Sequence, residues 1–65
     1  MTSREVIKVL KAAGWYVDRI NGSHHILAHD GIPGTVTVPH PKSDLTIGTL
    51  KSIERQAGIK LKGAK

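Results

Sequence analysis

Four histidines stand in 65 residues, and three of them, His24, His25 and His29, fall within six positions. Imidazole can donate and accept protons near neutrality, and it also binds metals. Spacing separates the two uses. His25 and His29 are four apart, so on a helix both rings would meet at one ion. On a strand the same spacing holds them roughly 13 Å apart at 3.3 Å per residue, too far for one ion. Adjacent His24 and His25 would then point to opposite faces, one toward the core and one toward solvent. The fourth, His40, is fixed between Pro39 and Pro41 and could lie near the end of a sheet.

The cluster follows Asn21-Gly22-Ser23, a turn signal. Gly22 tolerates positive φ and leaves nearby backbone N–H groups uncovered, which suits the approach of an anion. His24, delivered to a strand end beside those amides, is therefore a candidate for proton transfer on a phosphodiester. Ser23 and His24 are no nucleophile–base pair, because neighbouring strand residues diverge. The chain has no Gly-rich phosphate loop, no acidic pair suited to glycoside or two-metal chemistry, and no Ser/His/Asp spacing. Cysteine is absent, which excludes disulfides and thiolate zinc sites.

The elements that must hold these residues can be read from pattern. Thr2-x-x-Glu5 fits a capping box. Behind it Val6, Ile7, Leu10 and Ala13 recur at helical spacing, with Arg4, Lys8 and Lys11 on the other side. This predicts a helix over about residues 3–13, ended by Gly14. Trp15–Ile20, His24–His29 and Thr35–Val38 read as three strands, with Asp30-Gly31-Ile32-Pro33-Gly34 as the second turn. One of Trp15 and Tyr16 is expected in the core. Ile47, Leu50, Ile53 and Ala57 mark one face of a second helix ended by Gly58, and the tail beyond Leu61 is expected to fray. The order α-β-β-β-α predicts an α+β fold, two helices on one face of a three-stranded antiparallel sheet.

Size and charge bound what such a fold can do. Sixty-five residues make one small domain, residues 1–65, with 38% hydrophobic content. A core this small argues against a large buried cavity, so chemistry belongs on the surface. The longest apolar runs are two or three residues, so no membrane span and no signal peptide are expected, and the expected location is cytoplasmic. The net charge of +5 is uneven. Residues 1–13 carry Arg4, Lys8 and Lys11 against Glu5. Residues 41–65 carry Lys42, Lys51, Arg55, Lys60, Lys62 and Lys65 against Asp44 and Glu54. A clustered basic surface suits a polyanion partner.

Gly22-Ser23-His24-His25, with Gly14-Trp15-Tyr16 upstream and Thr37-Val38-Pro39-His40-Pro41 downstream, resembles the HicA toxins, small ribonucleases of HicA–HicB toxin–antitoxin modules. The similarity continues through Ile47-Gly48-Thr49-Leu50-Lys51-Ser52-Ile53 and Gln56-Ala57-Gly58-Ile59. The resemblance implies a fold like that of double-stranded RNA-binding domains. It also implies an endoribonuclease that cuts mRNA without metal or other cofactor and is neutralised by a HicB-like antitoxin. By register, the family's single catalytic histidine maps onto His24 and its glycine onto Gly22. Thr46 departs from the Pro that many members carry there, and Ile26-Leu27 from a more aromatic pair.

The expected mechanism is attack by the RNA's own 2′-hydroxyl, with His24 as general base or acid. Amides near Gly22 and Ser23, with Lys42 or Lys51, would hold the developing phosphorane charge, and His25 would support the site. The alternative is a non-catalytic double-stranded RNA-binding module. Such modules concentrate Lys at the start of the last helix, where this chain has Thr46-Ile47-Gly48-Thr49 and no charge before Lys51. A third reading is a protein-interaction partner without RNA affinity.

Overall fold

The capping box closes the start of the first helix in the computed structural model of the chain, which describes residues 1–62. The Thr2 amide donates to Glu5 Oε1 at 2.8 Å, and the Glu5 amide donates to Thr2 Oγ1 at 3.1 Å. The helix, α1, runs Ser3–Ala12 and buries Ser3, Val6, Ile7 and Leu10. Gly14 follows at φ 98, a left-handed turn that sends the chain into the sheet. Trp15 is the core anchor, 2% exposed, whereas Tyr16 is exposed.

Three strands follow: β1 (Tyr16–Asn21), β2 (His24–His29) and β3 (Ile32–Pro39). They form an antiparallel meander in the order β1-β2-β3. β3 starts three residues earlier than predicted. Its register jumps from Ala28↔Thr35 to His29↔Ile32, so Pro33 and Gly34, with Gly34 at φ 87, bulge out of the ladder. Pro33 is tolerated because β3 is an edge strand. The second turn is therefore shorter than the five-residue turn predicted.

The last helix, α2, spans Ile47–Ala57, with Thr46 as its N-cap and Gly58 ending it in the left-handed region. The apolar face differs from the predicted one at a single position: Ile47 is 53% exposed. Leu45 is buried instead, and with Leu50 it occupies the two positions of a hydrophobic staple across the N-cap. The Leu61 amide donates to the Glu54 carboxylate, which ties the start of the tail to α2. The predicted fraying falls largely on residues 63–65, which lie outside the described residues.

Leu27, Val36 and Val38, all fully buried, form the sheet side of the core beneath both helices. β1 is covered less: Val17 is half-buried and Ile20 is 61% exposed. Among the described residues, no helix is long and apolar enough to cross a membrane.

Candidate active site

Strand alternation sorts the histidines. His25 pairs with Val38 and Ile20, and Leu27 with Val36, so His25 lies on the helix-facing side of the sheet. His24 pairs with Asn21 and Pro39 and lies on the open face, exposed. The two faces separate them as expected. The residue given the chemical role by register, His24, is the one that faces away from the helices.

Partial cover of β1 leaves a groove of about 600 Å³ between α1 and β1. Arg4, Lys8 and Lys11 line its α1 side, one exposed stripe at intervals of four and three residues. Val17 and Ile20 contribute an apolar floor, and His25 and His40 complete the lining. Cationic wall, apolar floor and two imidazoles make a site that can hold a phosphate, rest a base or sugar on hydrocarbon, and move protons. Among the described residues, no carboxylate lines it.

His25 and His40 meet edge to face, with ring centroids 4.6 Å apart and planes at 78°. His40 is held from three sides. Its amide donates to the Ser23 carbonyl at 2.7 Å, and its Nδ1 lies 2.7 Å from Ser3 Oγ. Ser3 Oγ also accepts from the Lys42 amide at 2.8 Å and reaches the Lys42 carbonyl at 3.1 Å. Ser3 itself is 1% exposed. His25 Nδ1 is buried with no hydrogen-bond partner among the described residues.

The remaining predicted residues divide. Gly22 forms the β1–β2 turn at φ 60, with open space where a Cβ would stand. Ser23 serves the site through its carbonyl. Lys42 lines a shallow depression with Arg4 and His40, next to the groove. Lys51 does not join them; it lies on α2 in a separate depression with Arg55 and Lys60. His29 is structural. The Gly31 amide donates to its Nδ1 at 2.9 Å, so Nε2 carries the proton and donates to the Ala13 carbonyl at 3.1 Å, beside an edge-on Trp15.

Sequence reasoning missed Ser3, Arg4, Lys8 and Lys11 as site residues and left His40 without a role. The stripe of cations was visible in the pattern, but which strand it would overhang was not.

The family described as HicA toxin of bacterial toxin-antitoxin matches residues 3–59, which include every residue of the groove. The chain belongs to the HicA toxin family. A solved structure described as a HicA3 and HicB3 toxin-antitoxin complex is 38% identical, with a TM-score of 0.83. The match covers 94% of this chain and 98% of that one. No curated protein matches the chain. The α-β-β-β-α fold of this HicA chain is thus found in a solved HicA structure as well.

Proposed function

We propose that this HicA chain is the toxin of a toxin–antitoxin module and an endoribonuclease that cuts mRNA in the cytoplasm, arresting translation. One observation carries the reading: a histidine, His25, closes a groove walled by Arg4, Lys8 and Lys11 in a chain of the HicA toxin family. The RNA supplies the nucleophile. Its 2′-hydroxyl attacks the adjacent phosphorus, giving a 2′,3′-cyclic phosphate and a 5′-hydroxyl end. Proton transfer by His25 contributes roughly 10²–10⁴-fold, and the nearby cations hold the charge that develops on the phosphorane oxygens.

His25 takes the role in preference to His24 because it shares the groove with the cations that would bind the scissile phosphate. Gly22 and Ser23 support the site by forming the turn that holds His40. The proposed step needs no metal: imidazole moves the protons and the cations meet the phosphate. A HicB-like antitoxin is the proposed protein partner, since the similar HicA3 chain is described in complex with HicB3; covering the groove would neutralise the toxin.

The test is cleavage of an RNA oligonucleotide, and of its 2′-deoxy counterpart, by the native chain, His24→Ala and His25→Ala, each with and without EDTA. Native cleavage should survive EDTA and spare the deoxy strand. The His25→Ala rate should fall by about 10²-fold or more, while His24→Ala should stay near native. The reverse pattern would return the role to His24. A gel shift without cleavage by the native chain would favour the non-catalytic RNA-binding module.

A further inference from the structure

We propose that the floor of the α1–β1 groove is a nucleobase site. Val17 and Ile20 receive the face of one unpaired RNA base while Arg4, Lys8 and Lys11 hold the phosphates beside it. The inference rests on the ribonuclease reading above, and it is the same whichever histidine moves the proton.

A break in β1 is the first ground. Strict alternation would put residues 17 and 19 on one side of the sheet and residues 18 and 20 on the other. The register instead jumps from Val17↔Leu27 to Arg19↔Ile26, so Asp18 is an extra residue in the strand. Val17 and Ile20, three apart, thereby come to the same helix-facing side, and Arg19 is turned to the open face with Ile26. Without the bulge, Arg19 would stand in the floor of the groove and Ile20 outside it. One exposed isoleucine on a surface is ordinary. This one is carried into a groove by a bulge, set beside a half-buried Val17, and still left exposed.

Charge and reach decide the occupant. Arg4, Lys8 and Lys11 form a wall over about 10 Å of helix, suited to successive phosphates of one strand. A duplex reader reaches two minor grooves across about 16 base pairs, far more than this wall. In a duplex the faces of each base are covered by its neighbours. An unpaired base can turn its face outward and exchange water for hydrocarbon.

The groove's volume of about 600 Å³ lies within the roughly 300–1,000 Å³ of small-ligand pockets. Part of its lining is the ring of His40, which Ser3 Oγ holds at Nδ1, 2.7 Å away. Every base has an apolar face, so an aliphatic floor selects unpaired over paired nucleotides rather than one base over another.

The experiment measures binding by fluorescence anisotropy. One probe is an unstructured RNA whose riboses are all 2′-O-methyl, so that no 2′-hydroxyl can attack; the other is a strand of equal length without bases. Native protein should bind the base-bearing strand about five- to tenfold more tightly. Ile20→Ala should weaken that strand about fivefold and leave the abasic strand within about twofold of native, at an unchanged salt slope. Ile20→Phe, which offers the base a ring, should restore the preference. Lys8→Gln should weaken both strands alike. The duplex of the same sequence should compete less well than the single strand.

Equal native affinity for the two strands, equal losses on both in Ile20→Ala, or tighter binding of the duplex overturns the proposal. Native RNA affinity in Ile20→Ala with a weakened complex with a HicB-like antitoxin would give the patch to the protein partner and overturn it too. Should Ile20→Ala fail to fold by circular dichroism, the native preference for bases and for the single strand decides. A chain that cuts RNA yet ignores its bases overturns this site alone. One that neither binds nor cuts RNA overturns the ribonuclease reading, and this site with it.

Discussion

Ser3 shows how one buried hydroxyl can determine a site's geometry. It stands at the first position of α1, where an exposed Ser would be unremarked, yet it is 1% exposed and joins α1 to the segment after β3. Its backbone N–H donates to the Lys42 carbonyl at 2.9 Å, and its side chain meets His40 and the Lys42 amide. Ser3→Ala would leave both partners short of a bond in a part-buried place. The expected cost is about 1–3 kcal/mol, measured as a lower urea midpoint. The sequence made legible that His24 and His25 diverge, since that follows from strand period alone. Which of them meets the cations depends on where α1 lies over the sheet, a tertiary fact that no local spacing encodes. The carrying role of Ser3 was hidden for the same reason: its partners are 37 and 39 residues away.

At the scale of elements, local chemistry was readable wherever the chain makes its own partner. The Thr2–Glu5 box, the Gly14 and Gly58 ends and the alternation of β2 all involve residues a few positions apart. The start of β3 and the exposure of Ile47 were not readable, because a bulge across an edge strand and a staple from Leu45 replace the simple periods. The cap gives a pH test. The Thr2 backbone N–H, and then its hydroxyl, hold the Glu5 carboxyl below its usual 4.5. Its contribution is therefore full above that value and is lost as pH falls through the lowered one. Glu5→Gln should show a smaller loss of urea midpoint than native between about pH 6 and pH 3; equal losses would mean that the cap does not report this titration. The other end of α1 makes a steric prediction. A Cβ at Gly14 would stand 2.7 Å from His29 Nε2, at φ 98. Gly14→Ala should destabilise the fold by about 1–3 kcal/mol through backbone strain, and more if His29 loses the Ala13 carbonyl. A thermal melt measures it, and a native Tm would refute the close approach.

The whole molecule explains why a chain of 65 residues has a groove at all. Two helices packed over Leu27, Val36 and Val38 leave the inner side of β1 only partly covered, so the deficit of a small core becomes a cleft floored by Val17 and Ile20. The +5 charge is not spread evenly over this shape. Arg4, Lys8 and Lys11 overhang the cleft, whereas Lys51 and Arg55 line a separate depression on α2. The two basic ends of the sequence are therefore distinct surfaces, and salt can tell which of them holds RNA. Each phosphate neutralised on a single strand contributes about 0.7 to the slope of log affinity against log salt. Changing Lys8 and Lys11 together to Gln should lower that slope by about 1.4 and weaken binding of unstructured RNA. Lys51→Gln should leave both nearly unchanged. These charges are exposed and stand off the core, so the variants should keep the native melting temperature within about a degree or two. The opposite pattern, with Lys51 setting the slope, would move the RNA onto α2, in the manner of a double-stranded RNA reader. It would also take the RNA backbone away from the α1 groove that Arg4, Lys8 and Lys11 overhang.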